Sequence, residues 1–256
     1  MRILLTNDDG IAAPGIRALY RNVRDLGQIE VIAPATVQSA AGHGITIRDP
    51  LRVRRVKVGD GEYTGRSVSG SPADCVRLAI SNLLDKMPDL VLSGMNAGGN
   101  VGNHVFYSGT VAAAAEAAMF NLPAIAFSAS ALVEPIDFGR SAELCRAVLD
   151  RLLALQLKGR DLINVNIPPL AEGDPIGIRV VRQSNTETRD VYRLTEQTDD
   201  YDEYQISDYA FAPEQGDSDV VLIEQRYITI TPLHVDMTLH DEMPRLRTVD
   251  FGGIVD

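Results

Sequence analysis

The opening of the chain constrains the fold most, because a short apolar run stops there abruptly at polar residues. Residues 3–5 (Ile-Leu-Leu) form the run, and residues 7–10 (Asn-Asp-Asp-Gly) follow it. This pattern predicts a strand that is buried on both faces, as in the parallel sheets of α/β proteins. Ligands of open α/β sheets bind outside the carboxyl ends of the strands. We therefore expect Asp8 and Asp9 at such a crevice.

The two adjacent carboxylates fit two interpretations. Like charges repel each other, and they are costly to remove from water unless a cation joins them. Asn, Asp and Gly are also common turn formers, so this stretch alone fits a solvent-exposed turn as well as a metal site. Further motifs along the chain are needed to distinguish the metal site from the solvent-exposed turn.

Hydrophobic periodicity predicts further α/β units. Apolar residues at helical spacing between positions 16 and 26 end at Gly27, and residues 29–33 form a second strand, so strands one and two should be parallel. Residues 45–68 alternate around Gly59-Asp60-Gly61 and predict a β-hairpin. Residues 186–211 are acidic and contain tyrosine, which indicates an extended surface arm. We predict further strands at residues 89–93, 122–128, 162–167, 176–181 and 227–232. We expect one domain over residues 1–256, in which about 185–256 form a C-terminal elaboration.

Length and composition are those of an ordinary globular protein. The chain has 256 residues, of which 45% are hydrophobic and 23% charged. No apolar run reaches the roughly 18 residues of a membrane span, and the first strand leaves no room for a signal peptide. Cys75 and Cys145 fall in separate helical segments, so we expect no disulfide. A cytoplasmic protein without a membrane partner is the expectation.

The charge of the chain limits its partners. A formal net charge of −11 argues against a nucleic-acid polymer, because phosphate backbones select basic surfaces. Only three lysines occur, so a lysine-lined phosphate pocket is not expected. A small anionic substrate remains compatible if a divalent ion or helix N-termini supply local positive potential.

Four oxygen-bearing side chains follow predicted parallel strands: Asp8, Asp9, Ser39 and Asn96. If the strands are neighbours, these side chains converge on one crevice. Carboxylate, hydroxyl and amide oxygens are hard ligands that suit Mg²⁺ or Mn²⁺. Zinc is disfavoured, because the histidines show no ligand spacing with either cysteine. Taken singly, Ser39 and Asn96 are equally compatible with ordinary loop and turn positions.

A glycine-rich loop leads to Ser108, Gly109 and Thr110 at the start of an alanine-rich helix. Free N–H groups at a helix start bind anions, and Gly109 would let a phosphate approach the backbone. A plain helix cap is the alternative. The chain lacks the Gly-Lys-Ser/Thr of a P-loop and the Gly-x-Gly-x-x-Gly of a dinucleotide-binding strand. It also lacks the Asp-x-Asp of a haloacid-dehalogenase-type phosphatase.

Five motifs, in this order, together resemble the SurE family of survival-protein nucleotidases. The motifs are Asn7-Asp8-Asp9-Gly10 with Pro14-Gly15, residues 70–75 (Gly-Ser-Pro-Ala-Asp-Cys), residues 93–98 (Ser-Gly-Met-Asn-Ala-Gly), residues 107–111 (Tyr-Ser-Gly-Thr-Val) and residues 231–236 (Thr-Pro-Leu-His-Val-Asp). The resemblance implies a Rossmann-like fold with a divalent ion held by Asp8, Asp9, Ser39 and Asn96. It also implies a homodimer or homotetramer, built partly from C-terminal segments. Departures from the family pattern are Asn103-His104, Arg226 and the acidic residues 199–203.

The resulting prediction is a metal-dependent phosphomonoesterase that acts on nucleoside 5′- and 3′-monophosphates through metal-activated water. Asp8 and Asp9 would hold the ion, and one of them would accept a proton from the water. Asn96 and the segment Ser108-Gly109-Thr110 would stabilise charge on the phosphoryl group. A non-catalytic nucleotide-sensing protein is the main alternative, and a metal-dependent glycosyltransferase is a more distant one.

Overall fold

The computed structural model describes residues 1–130 and 135–251. The predicted first strand is present, and Ile3, Leu4 and Leu5 within it are at most 1% exposed. The strands are β1 Arg2–Thr6, β2 Gln28–Pro34, β3 Val53–Val58, β4 Tyr63–Val68, β5 Leu90–Ala97, β6 Ala124–Ala129, β7 Leu162–Ile167, β8 Gly177–Val180, β9 Thr188–Gln197, β10 Asp202–Phe211 and β11 Tyr227–Leu233. The α-helices are α1 Pro14–Val23, α2 Pro72–Leu78, α3 Gly109–Met119, α4 Phe138–Leu153, α5 Asp219–Glu224 and α6 Met243–Leu246.

A mainly parallel sheet forms the centre of the molecule. Its nine strands have the order β3-β4-β2-β1-β5-β6-β7-β11-β8. All neighbouring pairs from β4 to β7 are parallel, whereas β3 and β11 run antiparallel to β4 and β7. The chain moves outwards from β1 to β2 and then returns to the other side of β1 with β5. The predicted α/β, Rossmann-like class is confirmed, and the strand order reverses between β1 and β5.

Helices cover both faces of this sheet because successive strand residues point to opposite faces. Ile3 and Leu5 pack in the core that α1 and α4 complete, whereas Leu4 packs in the core under α2 and α3. Helix α3 is rich in alanine, and these small side chains let it lie close to the sheet. Close packing of α3 fixes the position of its N-terminus beside β1.

The predicted β-hairpin is present as β3 and β4, with a turn at Gly59–Gly61, but residues 45–52 lie outside the strands, so it is shorter than the predicted residues 45–68. It is part of the main sheet, because β4 pairs in parallel with β2. Strand β5 extends beyond the predicted residues 89–93 to Ala97, so Asn96 lies at the end of a strand instead of in a loop. The sequence analysis did not predict the short helices α5 and α6.

Strands β9 and β10 form a separate antiparallel hairpin, which we call the arm. Six apolar side chains on these two strands are more than 40% exposed, namely Val191, Tyr192, Leu194, Tyr204, Ile206 and Tyr209. The arm matches the predicted extended surface segment. Its proposed part in assembly, like the single-domain assignment, stays a prediction.

Two further sequence expectations can be compared with the structure. Cys75 and Cys145 are free, as expected, and the structure shows that both are buried. In the described ranges 1–130 and 135–251, no helix combines the length and apolar character that crossing a membrane requires.

Candidate active site

Asp8 lies at the carboxyl end of β1 and contacts the first turn of α3. Asp8 is only 4% exposed. Asp8 Oδ2 accepts the Thr110 backbone N–H at 3.1 Å, and Oδ1 accepts the Thr110 hydroxyl at 2.5 Å. The positive end of α3 therefore stabilises this carboxylate directly.

Gly109 makes this contact sterically feasible. A Cβ atom on Gly109 would lie 2.9 Å from both Asp8 Cβ and Pro72 Cγ, which is closer than real Cβ atoms approach other atoms. The absence of a side chain therefore lets the N-terminus of α3 approach Asp8.

Asp9 links the end of β1 to the end of β5. Its Oδ2 accepts the Ala97 backbone N–H at 3.0 Å, which brings Asp9 beside Asn96. Asn96 Nδ2 donates to the Gly98 carbonyl at 2.8 Å. Among the described residues, no donor occupies Asn96 Oδ1, so this amide oxygen is available as a ligand.

Ser39 lies on the loop after β2, and this loop is hydrogen-bonded to the backbone of Asp8. The Gln38 backbone N–H donates to the Asp8 carbonyl at 2.8 Å, and the Ala41 N–H closes a turn onto the Gln38 carbonyl at 3.2 Å. Ser39 itself is exposed. The structure thus brings the Ser39 loop, Asp8, Asp9 and Asn96 to one edge of the sheet, at the point where the strand order reverses.

The three residues predicted to bind phosphate have different surroundings. Ser108, Gly109 and Thr110 are all buried. Ser108 Oγ caps the helix by accepting the Val111 N–H at 3.0 Å. The backbone N–H and the hydroxyl of Thr110 both donate to Asp8. Within the described part of the chain, only the Gly109 N–H of this trio lacks an acceptor. Ser108 is therefore a plain helix cap, and Thr110 binds the Asp8 carboxylate. Gly109 is the residue whose N–H remains available to a ligand.

The electrostatics of the aspartate pair are those of a site that needs positive charge. Burial raises the pKa of Asp8 to about 6. The hydrogen bond from the Thr110 side chain lowers this pKa, whereas the negative charge of Asp9 raises it further. Burial also raises the pKa of Asp9, although the Ala97 N–H opposes the shift. No salt bridge reaches either carboxylate in residues 1–130 or 135–251.

These groups fit a hard divalent cation. Two carboxylates and a free amide oxygen are the donors that Mg²⁺ and Mn²⁺ prefer. The described residues contain no cluster of three or more His, Cys, Asp or Glu side chains suited to a metal. A cation at Asp8 and Asp9 would therefore complete its coordination with neutral oxygens such as those of Asn96 and Ser39.

Sequence reasoning missed Glu116, which ties the Ser39 loop to α3. Glu116 is 2% exposed, and its carboxylate binds His43 Nε2 at 2.7 Å and an Arg77 Nη1 at 2.6 Å. Burial would raise the pKa of Glu116, but the hydrogen bonds from His43 and Arg77 outweigh it and lower the pKa. The signal was present in the sequence as a single carboxylate within the otherwise apolar residues 111–119.

The sequence is similar to those of known proteins. The sequence model of the family described as "Survival protein SurE" matches residues 3–190. The chain belongs to the SurE family. A protein named 5'-nucleotidase SurE from Carboxydothermus hydrogenoformans is 41% identical over 252 residues, which cover 97% of this chain and 96% of that protein. Another of the same name, from Desulforudis audaxviator, is 41% identical over 265 residues, which cover 99% and 100% of the two chains.

A solved SurE structure also has this fold. The crystal structure of the SurE protein from Aquifex aeolicus superimposes with a TM-score of 0.80 at 34% sequence identity. The superposition covers 96% of this chain and 98% of the other. The resemblance to the SurE family that the motifs indicate is therefore confirmed in both sequence and fold.

Proposed function

We propose that this SurE family member is a divalent-metal-dependent phosphatase that converts nucleoside 5′- and 3′-monophosphates to nucleoside and phosphate. The observation that carries the proposal is the pair of buried Asp8 and half-buried Asp9, which has no basic partner among the described residues and lies beside a helix N-terminus. The relatives named 5'-nucleotidase support the choice of a nucleotide substrate.

Asp8, Asp9, Asn96 and Ser39 would hold the ion, as Mg²⁺ or Mn²⁺. Such an ion supplies positive charge opposite phosphoryl oxygens and lowers the pKa of water. The protein contributes the orientation of the ligands. Thr110 fixes both oxygens of Asp8, and the Ala97 N–H fixes one oxygen of Asp9.

Gly109 is the residue of the α3 N-terminus that we assign to the phosphoryl group. Its N–H lacks an acceptor within the described residues and points from the positive end of the helix dipole. A preorganised donor of this kind stabilises charge that develops on oxygen during the reaction. The Asn96 amide would assist from the β5 side.

Direct attack by water is favoured over a phosphorylated aspartate. Thr110 binds one lone pair on each Asp8 oxygen and the Ala97 N–H binds Asp9 Oδ2, and the lone pairs that remain on both carboxylates would be directed at the ion and not at phosphorus. Direct displacement inverts a chiral phosphorus, whereas two successive displacements retain its configuration. We expect inversion, and net retention would contradict this mechanism.

We also propose that the protein works as a homodimer or homotetramer in which the arm contributes to the contacts. Exposed apolar side chains on the arm are typical of surfaces that meet another chain. The proposed partners are the nucleotide and further copies of this chain.

The decisive experiment measures phosphate release from a panel of 5′- and 3′-monophosphates. We expect turnover with Mn²⁺ or Mg²⁺, none in excess chelator, and recovery when the metal is restored. Full activity in chelator would refute the metal site. Nucleotide binding without any phosphate release would instead support the sensing function.

A further inference from the structure

A cavity of about 550 Å³ lies next to the aspartate pair, and the proposed phosphatase chemistry does not use it. Its wall includes Gly98 and Gly99, which directly follow the Asn96–Ala97 segment that contacts Asp9. Pockets for small molecules have volumes of about 300–1,000 Å³ and mostly apolar walls with few polar groups. The cavity therefore has the size of a ligand site, and its wall continues the segment that contacts Asp9.

Aromatic rings from two distant parts of the chain form one side of this cavity. The His104 ring lies 4.7 Å from Tyr209 and 4.8 Å from Phe211, measured between ring centroids. Tyr209 and Phe211 come from the base of the arm, and His104 comes from the loop before α3. Such rings offer flat apolar surfaces on which a planar heterocycle can stack.

Arg226 is the basic side chain of a mostly apolar wall that also carries the carboxylates of Glu172 and Glu224. Its Nη2 donates to the Asp174 carbonyl at 2.8 Å, and its Nη1 lies 4.0 Å from a carboxylate oxygen of Glu172. Its Nε is buried and has no partner among the described residues. That Nε has almost no accessible surface, so a ligand in the cavity would meet the Nη groups instead. Nη1 makes no hydrogen bond among the described residues, and the side chain is 30% exposed.

The backbone of Arg226 is also held in an unfavourable conformation. Its φ is +64°, in the left-handed region that glycine adopts most easily. Glycine at this position would relieve the strain and remove the unpaired donor. Strain of this kind is often retained where a side chain has a functional role.

We propose that this cavity holds the nucleobase and that Arg226 makes the enzyme selective for 6-oxopurines, meaning guanine and hypoxanthine. The inference rests on the proposed function. A guanidinium matches the paired acceptors N7 and O6 of guanine, whereas adenine presents a donor at its 6-position. Pyrimidines lack the second ring, so they would fill less of the stacking surface. Arg226 is a specificity-determining residue and takes no part in the chemistry.

The test compares kcat/KM for GMP, IMP, AMP and CMP in the wild type and in Arg226→Gly. We expect wild type to prefer GMP and IMP, and the variant to lose roughly 5- to 100-fold on these two while AMP changes less than about twofold. Ribose 5-phosphate has no base, so its hydrolysis should be the same in both proteins. Arg160→Gly is the matched control, because exposed Arg160 has a φ of +69° and does not line the cavity.

A second variant and a second readout separate the pocket from the phosphatase function. Phe211→Leu should lower kcat/KM for all nucleotides and spare ribose 5-phosphate, because it removes only the stacking surface. Calorimetric binding of GMP and AMP reports selectivity without turnover. Turnover with equal base preference in wild type and Arg226→Gly would overturn the pocket and leave the phosphatase standing. GMP-selective binding that Arg226→Gly abolishes, with no phosphate release from any substrate, would support the pocket and overturn the phosphatase.

Discussion

At the carboxyl end of β1 the protein buries charged groups, whereas on the arm it exposes apolar ones. Asp8 is 4% exposed, but Tyr192 is 57% exposed. Burial of a carboxylate is unfavourable unless other groups compensate, and exposure of an apolar side chain forgoes the stabilisation that burial brings. Each region is therefore less stable alone than it would be with something bound to it.

The two regions differ in how much of the fold supports them. The crevice is held by β1, β5, α3 and the Ser39 loop through hydrogen bonds from Thr110, Ala97 and Gln38. The arm is held mainly by the ladder between its own two strands. We therefore expect substitutions in the crevice to change activity strongly and substitutions in the outer arm to change assembly alone.

The largest effect is expected for Asp9→Asn. The variant removes one carboxylate from the proposed ion site, so phosphate release should fall on the order of 100-fold or more. Folding should be little affected, because the change also removes the repulsion between the two aspartates. Circular dichroism and a phosphate-release assay check both points. Asp200→Asn on the arm is the matched control, and equal losses in both variants would contradict a special role for the crevice.

The next effect concerns Gly109→Ala. The new Cβ would meet Asp8 Cβ and Pro72 Cγ at 2.9 Å, so the start of α3 has to move away from β1. We expect kcat/KM to fall about tenfold or more and inhibition by inorganic phosphate to weaken as well. Gly139→Ala is the control, since its Cβ would meet only Asp137 Oδ1, at 3.3 Å, in the first turn of α4. If inorganic phosphate inhibits Gly109→Ala as strongly as wild type, the segment Ser108-Gly109-Thr110 is only a helix cap and does not bind the phosphoryl group.

Much of the crevice can be predicted from sequence because it follows from local patterns. The run at residues 3–5 predicts β1, and the general rule for parallel sheets places Asp8 and Asp9 at its carboxyl edge. The helix start at Ser108 follows from capping preferences. Ser39 and Asn96 also follow predicted strands, and the family resemblance implies that they are metal ligands; that role stays a prediction.

The partners of these residues could not be predicted in the same way. Thr110 is 102 positions from Asp8, and Glu116 is 73 positions from His43. Neither pair follows from periodicity, because both depend on the packing of α3 against the sheet and on the path of the Ser39 loop. The same holds for Arg226, whose unpaired Nε and left-handed φ are properties of the folded chain.

A moderate effect on stability is expected for Glu116→Gln. The lost charge weakens two hydrogen bonds, to His43 and Arg77, which should lower the free energy of unfolding by about 2 kcal/mol near pH 7. Because folding lowers the pKa of Glu116 from 4.5, its contribution is complete above pH 4.5 and disappears as the pH falls through the lower folded value. The gap between wild type and variant in urea unfolding should therefore shrink in acid.

A matched control is available for this stability comparison. Glu143→Gln removes an exposed carboxylate that pairs with Arg140, so we expect a change below about 0.5 kcal/mol at any pH. A gap between wild type and Glu116→Gln that stays constant from pH 7 to pH 3 would contradict the charge-based explanation.

The smallest effect on stability is expected when the outer arm is removed. Residues 191–208 can be replaced by Asn-Gly, a two-residue turn suited to hairpins, so that Asp190 and Tyr209 pair at the new end. The deleted residues are exposed, so the free energy of unfolding of the subunit should change by less than about 0.5 kcal/mol. The variant retains Tyr209 and Phe211, and with them the proposed nucleobase cavity.

Assembly is the property that this deletion should change. The removed segment carries Val191, Tyr192, Leu194, Tyr204 and Ile206, whose exposed apolar surface would be covered in a larger oligomer. Light scattering at micromolar concentration should show a dimer or tetramer for wild type and a smaller particle for the variant. Hydrolysis of GMP by each subunit should persist, because the crevice and the cavity are intact. If wild type is already a monomer, or if both proteins have the same mass, the arm has no part in assembly and its apolar side chains need another explanation.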